Sequence, residues 1–312
     1  MNGRSPGRDG TTLRELDRPY AYLAEDERSA AGHVQPVATI FLTNRRCPFP
    51  CIFCDLWRNT TDQPVPPGSI PAQIDIALAA LPVCRQLKLY NSGNFFDRKA
   101  IPRADHGAIA ARARPFETLI VENHPRLCGV DCREFQRRLD PPCEFEIAMG
   151  LETVHPQVLP KLNKQMSLDD FARAAERLHD WGIHTRAFVL VKPPFIRSED
   201  EAVEWAIRSV EWAFKLGVRC CSLIPTRGGV DTIDQLQARG LFSPPRIDTL
   251  ERVVAQLLPR QQGRVFVDLW DLRRFSGCGN CLDRRTERLR RVNHLQTLPP
   301  SIHCDCHVED SA

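Results

Sequence analysis

The chain has 312 residues, which is enough for one large α/β core together with a small appendage. Its 42 Lys and Arg nearly balance its 39 Asp and Glu, and the formal net charge is +3. A charge this small creates no global field, so the overall charge indicates neither a nucleic-acid-binding class nor a membrane-binding class.

The cysteine content is high for a chain without a secretory signal, since the sequence holds 13 of them. Residues 1–27 are polar and charged and contain no apolar signal segment. No apolar run approaches the roughly 18 residues that a membrane span needs. We therefore expect a cytoplasmic protein without a membrane partner, in which cysteines serve metal binding or catalysis rather than disulfides.

Strand-like and helical segments alternate after a leader, residues 1–36, that we expect to be loosely packed. The predicted strands are 37–43, 87–90, 118–122, 144–149, 185–191, 219–224 and 265–269. The predicted helices are 74–81, 103–112, 132–139, 168–181, 199–216 and 249–257. This alternation favours a parallel sheet with crossover helices. We place the core domain at 37–260 and a cysteine-rich C-terminal extension at 261–312.

Three cysteines follow the first predicted strand in a C-x3-C-x2-C array: Cys47, Cys51 and Cys54. A [4Fe–4S] cluster normally takes four thiolates, one on each iron, so three thiolates leave one iron open to another ligand. Cys51 and Cys54 alone form a C-x-x-C pair, which is also typical of a redox dithiol or of half a zinc site. Those alternatives leave Cys47 unused, so the array favours a cluster.

The array resembles that of the radical S-adenosylmethionine (SAM) superfamily, in which the amino and carboxylate groups of SAM fill the open position. The resemblance implies an open (β/α)6 partial TIM barrel, with its chemistry at the carboxyl ends of the strands. Phe53 lies where this superfamily keeps an aromatic residue that packs near the adenine of SAM. A [4Fe–4S] cluster and SAM are the cofactors that the resemblance implies.

Further candidates for SAM contacts lie at predicted strand ends. Ser92, Gly93 and Asn94 stand where radical SAM enzymes carry a Gly-Gly-Glu-like segment whose backbone holds the SAM amino group, although the usual Glu is missing. Glu152 is a candidate acceptor for the ribose or ammonium group of SAM, and Lys192 is a candidate partner of its carboxylate or of an anionic substrate. A plain turn, a solvated glutamate and a rim lysine are the competing interpretations.

Four stretches narrow the resemblance to the radical SAM lyases of archaeosine biosynthesis, a group related to the Elongator catalytic subunit. They are Cys-x3-Cys-Ile-Phe-Cys-Asp-Leu-Trp, Ser-Gly-Asn-Phe-Phe-Asp, Gly-Leu-Glu-Thr and Val-Lys-Pro-Pro-Phe. The implied function is reductive cleavage of SAM at the cluster to a 5′-deoxyadenosyl radical, acting in tRNA nucleoside modification of the deazaguanine type. A flavodoxin or ferredoxin as electron donor and tRNA are the implied partners.

Two alternatives remain open, because a shared core does not fix a substrate. One is a radical SAM enzyme that acts on a small metabolite or peptide. The other is a non-enzymatic iron–sulfur or zinc protein that binds RNA or carries electrons. Residues 122–125, at the end of the third predicted strand, are a candidate substrate contact, and the sequence identifies no catalytic residue.

Four cysteines near the end form two close pairs, Cys278 with Cys281 and Cys304 with Cys306. Four thiolates suit a tetrahedral zinc ion, in which His303 or His307 could replace one cysteine because Cys304 and Cys306 are closely spaced. An auxiliary iron–sulfur cluster and free thiols are the alternatives. The arginine-rich segment 284–291 lies between the two pairs and is predicted to be helical. This segment is a candidate RNA contact or a solvated basic face.

Overall fold

The computed structural model describes residues 16–307, which form one sheet and a set of surrounding helices. The strands are β1 (Ala21–Arg28), β2 (Val34–Phe41), β3 (Gln86–Tyr90), β4 (Thr118–Glu122), β5 (Glu144–Glu152), β6 (His184–Val191), β7 (Cys220–Pro225) and β8 (Arg264–Val267). The helices are α1 (Ser69–Ala80), α2 (His106–Ala113), α3 (Val130–Gln136), α4 (Leu168–Asp180), α5 (Glu199–Lys215), α6 (Asp231–Ala238), α7 (Ile247–Leu257) and α8 (Gly279–Leu295). Among these helices, none combines the length and the apolar character needed to cross a membrane.

The strands lie in the sheet in the order of the chain. β2 to β8 run parallel, whereas β1 pairs with β2 in the antiparallel direction. The parallel strands correspond to the seven predicted strands, and their ends differ by at most three residues. β1 was not predicted, because it falls in the segment that we expected to be a loosely packed leader. Six of its eight residues are exposed, so it lacks the apolar alternation that marks a half-buried strand.

A buried charged cluster shows that the sheet is curled. Arg186 on β6 lies 2.7 Å from Glu27 on β1 and 2.6 Å from Glu146 on β5. Lys88 on β3 lies 2.5 Å from Glu27, and Arg264 on β8 lies 3.4 Å from Glu146. Side chains from the first, third and last strands meet only when a sheet wraps around a common interior. The partial barrel is therefore confirmed, although the sheet has eight strands and the predicted count of six βα units is not confirmed.

The charged cluster fills the interior at the amino ends of the parallel strands. Burial alone would raise the pKa of Glu27, but Arg186 and Lys88 outweigh this effect and hold that pKa well below its ordinary value. The buried charges are thus paired, as buried charges must be to remain ionised. The opposite end of the barrel, at the carboxyl ends of the parallel strands, carries the loops of the candidate site.

Helix α8 covers the opening between the two edges of the sheet, since it packs against both β1 and β8. The Asn293 side-chain amide exchanges two hydrogen bonds with the backbone of Val267, each 2.9 Å long. Gln296, just past α8, does the same with Val265 at 2.7 and 2.9 Å. These amides take the place of a further strand, so the edge of β8 is protected from pairing with other chains.

Candidate active site at the carboxyl end of the barrel

The cluster loop, residues 47–54, follows β2 and carries the three predicted thiol ligands. Cys47, Cys51 and Cys54 are all partly buried. Burial raises the pKa of Cys51 to about 12 and that of Cys54 to about 11, while the charge of Lys164 opposes the rise at Cys51. Since metals bind thiolates and release their protons, ionisation of these thiols near neutral pH depends on a bound metal.

The three thiols of the cluster loop come from one short segment, and all three are free of disulfides. Three thiolates can fill three iron positions of a [4Fe–4S] cluster and leave the fourth iron open to another ligand.

A second loop, residues 162–165 after β5, holds the cluster loop, and we call this segment the clasp. The backbone N–H of Ile52 donates to the carbonyl of Leu162 at 3.1 Å. The Asn163 side-chain amide donates to the carbonyl of Pro50 at 3.0 Å. Asn163 has a φ of 54°, a left-handed conformation that asparagine tolerates better than most residues. These two hydrogen bonds fix the cluster loop against the clasp.

His124 connects the clasp to the cluster loop. Its ring stacks on Phe49 with a centroid distance of 3.7 Å and an interplanar angle of 11°. Nε2 lies 3.0 Å from the carbonyl oxygen of Lys164, and Nδ1 accepts the backbone N–H of Arg126 at 3.2 Å. Burial, aided by the charge of Lys164, lowers the pKa of His124 to about 3. The ring is thus neutral at physiological pH, with its proton on Nε2.

The predicted 92–94 segment packs directly on the first cysteine. The Asn94 side-chain amide lies 3.2 Å from the sulfur of Cys47, and its oxygen accepts the backbone N–H of His124 at 2.8 Å. A Cβ atom on Gly93 would lie 3.4 Å from the Cβ of Cys47, so the glycine allows a close approach. Ser92 has a left-handed φ of 51°. These contacts place the segment beside the proposed cluster.

Glu122, at the end of β4, places its carboxylate against the backbone of the 92–94 segment. Its Oε1 accepts backbone N–H groups from Asn91 at 2.6 Å and from Gly93 at 3.2 Å. Burial raises the pKa of Glu122 to about 7, although these backbone bonds act in the opposite direction. The sequence identified Glu122 only as part of a candidate substrate contact. Its actual bonds connect two strands that are distant in sequence, so no local spacing could have revealed them.

Glu152 and Lys164 form a buried ion pair with a distance of 2.7 Å. Glu152 has a left-handed φ of 65°, which turns the chain at the end of β5. Gly150 makes room for the pair, because a Cβ atom there would overlap both charged groups. Glu152 was predicted as a contact of SAM, but Lys164 was missed because it lies in the clasp, where no pattern marked it.

Lys192 and Phe53, two further predicted contacts of SAM, are held by neighbours within the protein. The Lys192 ammonium pairs with Glu199 at the start of α5 and lies 3.5 Å from the carbonyl of Pro244. Phe53 is partly buried and packs with Phe195 against small apolar clusters beside the barrel. A role for either residue toward SAM remains a prediction.

Comparison with known sequences supports the narrower resemblance. No protein-family model matches the chain. An uncharacterised protein of Methanocaldococcus jannaschii is 23% identical over 94% of this chain and 86% of its own length. Archaeosine synthase subunit beta is 30% identical in Thermococcus kodakarensis, over 40% of this chain and 39% of that protein. The Methanosarcina acetivorans subunit is 24% identical, over 66% and 61%. The predicted resemblance to the archaeosine group is confirmed.

Comparison with solved structures identifies the fold. SuiB of Streptococcus suis bound to S-adenosylmethionine matches with a TM-score of 0.53 at 11% identity, over 72% of this chain and 48% of SuiB. Elp3 of Methanocaldococcus infernus matches with a TM-score of 0.52 at 12% identity, over 72% and 58%. The chain therefore shares its fold with these two proteins. The chain spans about half the length of these two neighbours.

Apart from the strand-end loops of the barrel, the four C-terminal cysteines meet at the start of α8. Sγ of Cys278 lies 3.8 Å from that of Cys304, and Sγ of Cys281 lies 3.7 Å from that of Cys306. Four sulfurs about 2.3 Å from one tetrahedral zinc are about 3.8 Å apart, so this set fits a single zinc ion. The backbone N–H groups of Cys281 and Asn280 lower the pKa of Cys278 to about 7, which favours the thiolate that a metal needs.

Proposed function

We propose that the protein is a radical SAM enzyme in which Cys47, Cys51 and Cys54 bind a [4Fe–4S] cluster. The observation that carries the proposal is the clasped cluster loop at the carboxyl end of a partial barrel, where three free thiols lie beside the 92–94 segment. When bound, the cluster supplies the electron for the reductive cleavage of SAM. A flavodoxin or ferredoxin is the proposed source of that electron.

The residues around the cluster loop bind and orient the cofactors in this proposal. The backbone of residues 92–94, fixed by Glu122, is the proposed contact of the SAM amino group. Phe53 is the proposed neighbour of the adenine, and Glu152 and Lys192 are proposed polar contacts of SAM. Burial raises the pKa of Cys47 and Cys51, and the positive charge of Lys164 opposes that rise, which favours the thiolate form that binds a metal.

The proposed substrate is a nucleoside in tRNA that undergoes a deazaguanine-type modification. Support comes from the two sequence relatives named archaeosine synthase subunit beta and from the radical SAM fold shared with Elp3. The barrel orients the substrate and shields the reaction from water, since the amino end of its interior is closed by the charged cluster around Arg186.

The C-terminal cysteine set is proposed to hold a zinc ion with a structural role. Four thiolates leave no open coordination position, which is typical of structural rather than catalytic zinc. An auxiliary iron–sulfur cluster fits less well, because its thiolates bind different irons, whereas these sulfurs have the spacing of ligands on one ion.

Anaerobic reconstitution tests the proposal. The wild-type protein is expected to bind about four irons at the cluster loop and to release 5′-deoxyadenosine when dithionite and SAM are added. Cys51→Ala should lose the cluster absorbance and the product. Cys143→Ser is the matched control, because Cys143 is a partly exposed cysteine whose weak hydrogen bond goes to the carbonyl of Glu144. A fully loaded cluster that yields no 5′-deoxyadenosine would overturn the proposal.

A further inference from the structure

We propose that a pocket lined by Arg126, Arg173 and Arg177 binds a backbone phosphate of the RNA substrate beside the active site. This inference rests on the proposed function and assigns it a docking point. The pocket has a volume of about 170 Å³ and lies between the turn after β4 and the outer face of α4. That volume is several times the roughly 30 Å³ that a water molecule occupies in the liquid, so a phosphate group can enter.

Each of the three guanidinium groups is anchored by a single neighbour. Arg126 donates to the carbonyl of Gln165 at 3.1 Å, and Arg177 donates to the carbonyl of Cys128 at 2.9 Å. Arg173 donates to Asp170 at 2.8 Å. All three side chains are exposed. A guanidinium has five N–H donors in a fixed plane, so each group keeps donors that suit phosphate oxygens.

The pocket has a net positive charge, which favours the binding of an anion. Asp170 is the acidic residue that lines the pocket with the three arginines. Its carboxylate accepts the backbone N–H of Ser167 at 2.9 Å in the capping box of α4, and this bond lowers the pKa of Asp170. Arg173 and Arg177 are four residues apart on α4, where like charges repel. The three arginines carry three positive charges, and Asp170 carries one negative charge. Two positive charges therefore remain for a bound anion to neutralise.

The position of the pocket connects it to the cluster loop. Arg126 follows His124, whose ring stacks on Phe49 of the cluster loop. Gln165, which accepts the bond from Arg126, is the last residue of the clasp. The adjacent Lys164 carbonyl accepts the bond from His124. A strand whose phosphate occupies the pocket therefore runs past the rim of the barrel, from which an extruded base can reach the interior.

The basic segment of α8, the RNA contact considered from the sequence, is less suited to this role. Arg285 and Arg288 are buried and pair with Glu251 on α7, so they hold α8 in place. Arg284 and Arg291 remain exposed. These two residues provide a matched control, because they carry the same charge as the pocket arginines. They lie on the exposed side of α8, which packs against a different part of the sheet.

The test measures equilibrium binding of a tRNA transcript to the reconstituted protein over a series of salt concentrations. The double variant Arg126→Gln, Arg177→Gln is expected to bind at least 10-fold more weakly at low salt. The magnitude of its slope of log K against log salt should decrease by about 0.7–0.9, the amount expected for the loss of one phosphate contact. The lysine double variant at the same positions should recover part of the slope, because it restores the charge without the planar donors.

The controls separate this inference from the proposed function. Arg284→Gln, Arg291→Gln should leave the slope unchanged, and SAM cleavage without RNA should equal wild type in all variants. An equal slope for the glutamine pocket variant and wild type overturns the inference, even if inorganic phosphate competes at the pocket. Wild type that cleaves SAM but binds no RNA overturns the docking point and leaves the radical SAM proposal intact. Loss of the slope in a protein that never cleaves SAM supports the docking point alone.

Discussion

Glu122 at the end of β4 accepts the backbone N–H of Gly93 at 3.2 Å, so a carboxylate from one strand fixes the turn that follows its neighbour. The same oxygen accepts the N–H of Asn91 at 2.6 Å. The turn also contacts the first cysteine, because the side-chain amide of Asn94 lies beside the sulfur of Cys47. One partly buried carboxylate thereby positions both the proposed SAM contact and the turn that packs on Cys47.

Replacing Glu122 by glutamine should change how stability depends on pH. The pKa of Glu122 is raised from 4.5 to about 7 by burial, so between these values the folded state binds more protons than the unfolded state. Stability then falls as pH rises through this window. In the metal-free protein, the free energy of unfolding of wild type relative to Glu122→Gln should drop by up to about 3 kcal/mol between pH 4.5 and 7. A difference that stays constant over this range would contradict the assignment.

Gly150→Ala should destabilise the protein by about 1–3 kcal/mol, because its Cβ atom overlaps the buried pair of Glu152 and Lys164. Gly107→Ala is the matched control. Gly107 is exposed in α2, and the contact of its added Cβ would be the end of Arg138 at 3.9 Å. This change should stabilise the protein by about 0.5–1 kcal/mol through helix propensity. Urea unfolding of both variants measures the change in the free energy of unfolding. Equal changes of the same sign in the two variants would refute the packing argument.

The pair of Glu152 and Lys164 should behave as one unit in a double-mutant cycle. Lys164→Met leaves a buried carboxylate without its cation and should cost about 3–5 kcal/mol of unfolding free energy. Adding Glu152→Gln should recover part of that loss, because no charge then remains buried. The exposed pair of Glu204 and Arg208 on α5 is the comparison, and its coupling should be at most about 0.5 kcal/mol. Additive effects at the buried pair would show that the two groups do not interact.

The two metal sites should load independently. Cys281→Ser or Cys304→Ser is expected to abolish zinc binding, from one ion per chain to none, while the iron content stays at the wild-type value. Elemental analysis after anaerobic reconstitution measures both metals. Iron in place of zinc at the C-terminal set, or loss of iron in these variants, would contradict the assignment of the two sites.

Local pattern predicted the parallel part of the fold, but not the contacts between distant segments. β2 to β8 carry apolar runs, so their positions followed from the sequence. The spacing of Cys47, Cys51 and Cys54 predicts a set of cluster ligands, and this assignment stays a prediction. β1 was missed because its surface is exposed and polar. The clasp and its Lys164 were missed for a related reason. Their importance arises from pairings across more than ten residues, which no periodicity records.

The most direct measurement is the magnetic coupling between the reduced cluster and SAM labelled with ¹⁵N in its amino group. Bound to Cys47, Cys51 and Cys54, the cluster has one iron without a cysteine, and SAM is proposed to fill that position. Pulsed electron paramagnetic resonance should then detect ¹⁵N coupling in wild type. The account predicts this coupling together with 5′-deoxyadenosine formation. A reduced cluster that binds SAM without any ¹⁵N coupling would contradict it.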